Sequence, residues 1–122
     1  MVKVTALSVK EGEMCPVRQV LSKVVGKWQI LILLSLEDGE LRFGELKRAV
    51  GDITQRVLTE NLRGLERDGY LTRSVHAGPP LAVSYALTDL GMENVGYLKP
   101  LVAWAENRFE AVKKARQVYD SR

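Results

Sequence analysis

The sequence predicts a mainly α-helical fold carrying a small β-hairpin. Two observations support this. Residues 54–69 repeat apolar side chains with the period of a helix, as do residues 89–122 at the end of the chain. Between them, residues 70–75 and 82–87 switch to a period of two, the signature of paired strands.

Residues 54–69 anchor the rest. Val57, Leu58, Leu62 and Leu65 fall on one side of a helix, and Arg56, Thr59, Glu60, Arg63 and Arg67 fall on the other. Thr54 is a good N-cap, and Ile53 and Leu58 occupy the two positions of a hydrophobic staple. Gly69 follows the last helical residue, where a left-handed cap is wanted. A shorter helix over residues 43–50 precedes it across Gly51-Asp52, with Phe43, Leu46, Ala49 and Val50 expected to face inward. Two helices with a tight glycine joint, the second presenting cations outward, predict a helix-turn-helix. The hairpin that follows, closed by a loop over residues 76–81, predicts a wing. The predicted class is therefore a winged helix-turn-helix.

An α-helix fits the major groove of DNA, and arginines near its start reach guanine or phosphate. Thr54, Gln55, Arg56, Thr59 and Arg63 are the candidates, with Arg42, Lys47, Arg48 and Arg73 as phosphate contacts that position without specifying sequence. The charge pattern alone leaves a second reading open. The same face could be solvated, held by Arg56–Glu60 and Glu60–Arg63 ion pairs worth a few tenths of a kcal/mol each, roughly.

The remaining elements follow in order. Residues 1–14 alternate weakly and are expected to form a loose arm. Cys15-Pro16 opens a helix, because proline is favoured at a first helical position. Val17, Val20, Leu21, Val24, Val25 and Trp28 then recur at spacings of three and four, interrupted at Gly26. Residues 27–36 are apolar on nearly every side, which predicts a buried central helix. Leu41-Arg42 is a candidate short strand. Thr88-Asp89 caps the last helix, in which Pro100 predicts a kink or break near Lys99. Beyond it, Leu98, Leu101, Val102, Ala105, Phe109 and Val112 form a stripe widened by Tyr97 and Trp104. A terminal helix this apolar packs on its own domain or on a second copy.

Composition narrows the function. A chain of 122 residues is one domain by size, and 46% apolar with 27% charged residues is ordinary for a soluble protein. A net charge of +3 permits nucleic-acid binding without demanding it. One cysteine excludes an internal disulfide framework and a cysteine-rich zinc site. His76, the single histidine, has no metal-spaced partner and no nucleophile at a recognisable spacing. No metal, cofactor or enzymatic activity is expected. The absence of a long apolar run and of a signal-type N-terminus predicts a cytoplasmic location away from membranes. Cys15 sits at a helix start, where the helix dipole favours thiolate.

These residues resemble the HxlR-type, MarR-like winged helix-turn-helix regulators. The likeness lies in Cys15-Pro16-Val17, Gly26-Lys27-Trp28, Arg42-Phe43-Gly44-Glu45-Leu46, Leu62-Arg63-Gly64-Leu65-Glu66-Arg67-Asp68-Gly69 and Tyr85-Ala86-Leu87-Thr88, in order and at proper spacing. The resemblance implies an N-terminal arm over 1–14, a DNA-binding domain over 15–88 and a C-terminal dimerisation region over 89–122. It implies a homodimer bound to an inverted repeat of double-stranded DNA, with Val17, Leu98, Leu101, Val102, Trp104, Ala105 and Phe109 at the dimer interface. Where the family carries a basic wing residue after the prolines, this chain has Leu81-Ala82, leaving His76 as the wing's candidate cation. The resemblance also implies that Cys15 is a candidate sensor of oxidants or electrophiles, and that a small-molecule effector is a second route of control. The rival reading is a winged-helix module that binds protein rather than DNA.

Overall fold

A computed structural model describes residues 16–122. Its elements are α1 (Pro16–Val24), α2 (Lys27–Ser35), β1 (Leu41–Arg42), α3 (Phe43–Val50), α4 (Gln55–Arg67), β2 (Leu71–His76), β3 (Ala82–Leu87) and α5 (Asp89–Asp120). The three strands form an antiparallel sheet in the order β1-β3-β2. Residues 1–15, and with them the expected arm and Cys15, lie outside the described residues.

The core forms around α2, which touches α1, α3, α4 and α5. Ile32, Leu33 and Leu36 are shut off from solvent and meet Leu46 of α3, the leucines of α4 and Val95 and Leu98 of α5. The helix is not buried all round, however, since Leu31 is 38% exposed. Its residues are apolar on nearly every side, but among the described residues no element fully covers Leu31. In α3, Leu46 is buried and Phe43 and Val50 pack against the core, whereas Ala49 is exposed rather than inward. The start of α3 is fixed by Glu45, whose Oε1 accepts from the Arg42 backbone N–H at 2.8 Å. A guanidinium has no acceptor to offer such a cap, so the Arg42 head group stays available.

Both ends of α4 follow the expected chemistry. The Val57 N–H donates to Thr54 Oγ1 at 3.2 Å. At the far end Gly69 has φ +85°, the Tyr70 N–H reaches Leu65 O at 3.0 Å and the Gly69 N–H reaches Glu66 O at 3.1 Å. Glycine is required there because the left-handed turn penalises a Cβ. Tyr70 precedes β2 and His76 ends it, so the strand starts and stops one residue later than its alternation suggested.

The passage from sheet to α5 is closely packed. Thr88 donates its backbone N–H to Tyr70 O at 3.1 Å and its hydroxyl to Gly69 O at 2.6 Å, while Thr88 Oγ1 accepts from the Gly91 N–H at 3.1 Å. A Cβ on Gly91 would lie 2.1 Å from the Tyr70 carbonyl oxygen. Gly91 is therefore a packing requirement, not the weak point that its helix propensity implies.

From there α5 runs unbroken for 32 residues through Pro100. Of the expected kink or break near Lys99, the break is absent. Proline frees the carbonyl of Gly96, but Gly96 and Pro100 are both exposed and nothing lies within 4 Å of where a Gly96 Cβ would stand. Water can reach that carbonyl, so the helix survives the lost bond. Only the first third of α5 belongs to the core, through Gly91, Val95 and Leu98. Lys99 Nζ meets Glu37 Oε2 at 2.8 Å and fastens this part to the end of α2. That contact raises the Lys99 pKa, through the hydrogen bond first and the carboxylate's charge second. From residue 101 the helix carries on for about 30 Å, at 1.5 Å per residue, with no residue buried.

Two glycine substitutions should move stability in opposite directions. Gly91→Ala forces a methyl group against rigid backbone and should cost about 1–3 kcal/mol. Gly64→Ala enters open space in the interior of α4 and should gain about 1 kcal/mol from helix propensity. Thermal melts of the two variants check both signs.

Candidate nucleic-acid interface

The candidate surface is built from α4 outward. Leu58, Leu62 and Leu65 are between 0% and 2% exposed, and Val57 packs beside them. Because these residues hold one side of the helix against the core, the opposite side must face solvent. Arg56, Glu60, Arg63 and Arg67 are all exposed there. The Arg56 side chain is 87% exposed, and its Nε lies 3.2 Å from Glu60 Oε1. So exposed a pair is worth a fraction of a kcal/mol, roughly, and yields readily to a phosphate or a base edge. The other expected pair, Glu60–Arg63, does not form among the described residues. Arg63 is left without an ion-pair partner.

Sheet register divides the candidate residues between two faces. Arg73 and Leu41 stand opposite Tyr85, whereas Arg42 and Ser74 stand opposite Ser84. Side chains alternate along a strand, so Arg73, Val83 and Tyr85 share one face. Arg42, Ser84 and His76 share the other. The first face looks toward α4. Between them lies an open cleft of about 570 Å³, with Gln55, Thr59, Arg63 and Glu66 on the helix side and Arg73, Val83 and Tyr85 on the sheet side. The structure thus groups Gln55, Thr59 and Arg63 with Arg73. Thr54 is occupied as the N-cap. Arg42 is exposed at the start of α3, on the face away from the cleft.

His76 is placed differently from its expected free position in a loop. It is the last residue of β2, and its Nε2 lies 2.8 Å from Ser84 Oγ. Ser84, 2% exposed, donates in turn to Glu40 Oε1 at 2.8 Å. A carboxylate only accepts, so the serine proton is committed to Glu40 and His76 Nε2 must carry the donating hydrogen. The chain His76–Ser84–Glu40 ties the loop end of the hairpin to the turn before β1. Sequence reasoning missed it, and also missed the cleft. The available signal was the two-residue spacing of Arg73 with Val75 and of Val83 with Tyr85, which marks one hairpin face.

A second surface lies apart from this one. Leu101 is 47%, Trp104 61% and Phe109 52% exposed on α5, and on α1 Val20 and Leu21 are each 48% exposed. Ala105 is exposed as well, while Val17 and Val102 are half-buried. Leu98, expected with these residues, is 3% exposed and belongs to the protomer's own core. It has no surface left to offer a partner. Among the described residues there is no cluster that could hold a metal ion, and no helix is long and apolar enough to cross a membrane.

Comparison with known proteins agrees with this geometry. The model of the HxlR-like helix-turn-helix family matches residues 23–113. The chain is 37% identical over 111 residues to YtfH of Escherichia coli strain K12, an uncharacterised HTH-type transcriptional regulator, with 88% of each chain covered. Among solved structures, ytfH from Salmonella typhimurium superposes with a TM-score of 0.79 at 37% identity, covering 86% of this chain and 94% of that one. The redox regulator HypR in its reduced form superposes at 0.75 with 34% identity, covering 81% and 98%. With the buried face of α4, its cationic outer face and the adjoining hairpin in place, the chain belongs to the HxlR-like family of helix-turn-helix transcriptional regulators.

Proposed function

We propose that this regulator binds double-stranded DNA as a homodimer, placing α4 of each protomer in the major groove of one half of an inverted repeat. The observation that carries the reading is the split character of α4: three leucines fixed in the core and an arginine face left in solvent beside the wing. Thr54, Gln55, Arg56, Thr59 and Arg63 are the residues for groove and phosphate contact, with Arg42 and His76 on the wing's far face as flanking contacts. The N–H groups at the start of α4 add a site for phosphate through the helix dipole.

The dimer is supported by the apolar surface left open. The unburied length of α5 and the stripe of α1 present Leu101, Trp104, Phe109, Val20 and Leu21 to water. Pairing these surfaces between two copies would remove them from solvent and fix the separation of the two recognition helices at about 34 Å, one turn of DNA, or a multiple of it. Cys15 directly precedes α1, so a change at its thiol would act on the same seam. The likeness to a redox regulator favours this route of control, by a bond to the partner's Cys15, a mixed disulfide or an adduct. No catalytic role is assigned to any residue.

Four outcomes check the reading. On fragments selected from genomic DNA by the protein, binding should weaken steeply with salt. The Arg56→Ala, Arg63→Ala double variant should lose at least tenfold in affinity, with a log–log salt slope shallower by about 0.9 for each phosphate left without its arginine. No salt-sensitive binding of the parent protein to any fragment, with normal folding, would favour a protein-binding role. A Trp104→Glu, Phe109→Glu variant should sediment as a monomer with its helical signal intact, and a stable dimer would move the interface elsewhere. In gel shifts, Cys15→Ser should abolish any response of DNA binding to diamide or a quinone, and a response equal to that of the parent would retire the sensor.

A further inference from the structure

Ser84 is a hydroxyl in a buried place, at 2% exposed. Two ionisable side chains reach it from other parts of the chain. His76 Nε2, at the end of β2, and Glu40 Oε1, in the turn before β1, each lie 2.8 Å from its Oγ. The hydroxyl has a single proton, and the Glu40 carboxylate, which only accepts, takes it. The Ser84 oxygen is then the acceptor for the ring. Neutral His76 is therefore held with its hydrogen on Nε2 and a lone pair on Nδ1. His76 is itself exposed, and its Nδ1 has no hydrogen bond among the described residues.

This lock decides what the ring can offer a phosphate. A lone pair on Nδ1 repels one. A second proton on the ring turns Nδ1 into a donor and the ring into a cation, while the Nε2–H bond to Ser84 stays as it was. In an unlocked ring, the tautomer with its hydrogen on Nδ1 would serve a phosphate at any pH. The Ser84–Glu40 pair removes that tautomer. We propose that Ser84 and Glu40 are positioning residues that make His76 a proton-dependent contact to the DNA backbone, so that acid tightens binding. The ring takes one proton from water at Nδ1, and a phosphate oxygen accepts the new N–H. Glu40 stays ionised, and no bond inside the chain of three is exchanged.

The surroundings leave the ring's own charge to decide the sign at this end of the hairpin. Glu40 meets His76 through Ser84, and Arg42, opposite Ser84 in β1, puts one fixed positive charge on the same face. These two charges offset each other. Arg73 belongs to the other face, and residues 77–81 of the loop carry no charge. Imidazole is the one side chain that ordinarily changes charge between about pH 5 and 8, and His76 is the single histidine of the protein. A phosphate holds the added proton in place, so by linkage the affinity rises as pH falls through that range. The consequence for DNA rests on the DNA-binding reading; the locked ring does not.

The first measurement uses the full chain without DNA. Ring nitrogen chemical shifts of the single histidine distinguish its two tautomers and its charged form. At about pH 8 the parent ring should be all in the Nε2–H form. Glu40→Gln changes an exposed side chain and keeps its shape. Its amide can donate to Ser84 and free the hydroxyl to turn toward the ring, so the Nδ1–H form should appear. Ser84→Ala should give the same mixture by releasing the ring. A mixture in the parent, or an unchanged single tautomer in both variants, would overturn the proposal. The second measurement uses genomic fragments retained by the protein, at fixed salt. Parent binding should be about tenfold tighter at about pH 5.5 than at about pH 7.5. His76→Gln should bind equally at the two pH values, and in Glu40→Gln the ratio should shrink because binding at the higher pH improves. Equal parent affinity at both pH values would overturn the proposal and spare the DNA-binding reading, as would a pH dependence that survives in His76→Gln. A locked ring in a protein that retains no fragment at either pH would sink both together.

Discussion

Burial of Leu58, Leu62 and Leu65 is the constraint on which the rest of the molecule depends. Removing such a side chain from water stabilises the fold by about 2 kcal/mol, and each is all but fully enclosed. Three anchors along one helical stripe leave α4 no freedom to rotate. The orientation of Arg56, Arg63 and Arg67 is therefore not set by attractive contacts of their own. It follows from what the opposite side of the helix must do. The weak, exposed pair between Arg56 and Glu60 fits that logic, because it holds the guanidinium loosely and leaves it available.

The same economy governs the connection between the two working surfaces. The base of the wing and the start of α5 share the Tyr70 carbonyl, the Thr88 hydroxyl and the bare Cα of Gly91. At the opposite corner the His76–Ser84–Glu40 chain fixes the hairpin to the turn before β1. The wing, α4 and the first third of α5 are consequently one packed body. Any force applied to the exposed length of α5 or to α1 reaches α4 through that body. This supplies a physical route from the exposed length of α5 to the outer face of α4.

Much of the fold was legible because its signals are local. The stripe of α4, its Thr54 cap and its Gly69 terminus all lie within sixteen residues, and each has one physical meaning. The hairpin strands were found within a residue of their ends for the same reason. What failed depended on partners remote in sequence. The stripe of α5 gives a face but not what covers it, so Leu98 was read as part of the seam when its own core encloses it. Ala49 lies at the edge of the buried face of α3, where periodicity does not decide. Pro100 argues for a break only if its freed carbonyl cannot be hydrated, and exposure is not written in the residue types. The His76–Ser84 bond spans eight residues and the Ser84–Glu40 bond forty-four. The cleft draws on α3, α4 and both hairpin strands, and only the pairing register shows that Arg73, Val83 and Tyr85 share a face.

The central claim is that a leucine-locked helix carries its outer face into DNA, twice, at a separation set by the partner copy. Site-specific photocrosslinking reads this most directly. A photoreactive side chain at Gln55, near the start of α4, should join to bases in two clusters whose centres lie about 10 base pairs apart or at a multiple of that spacing. The same label at Glu110, far along α5, should join to none. A single cluster, or crosslinks from Glu110 and not from Gln55, would contradict it.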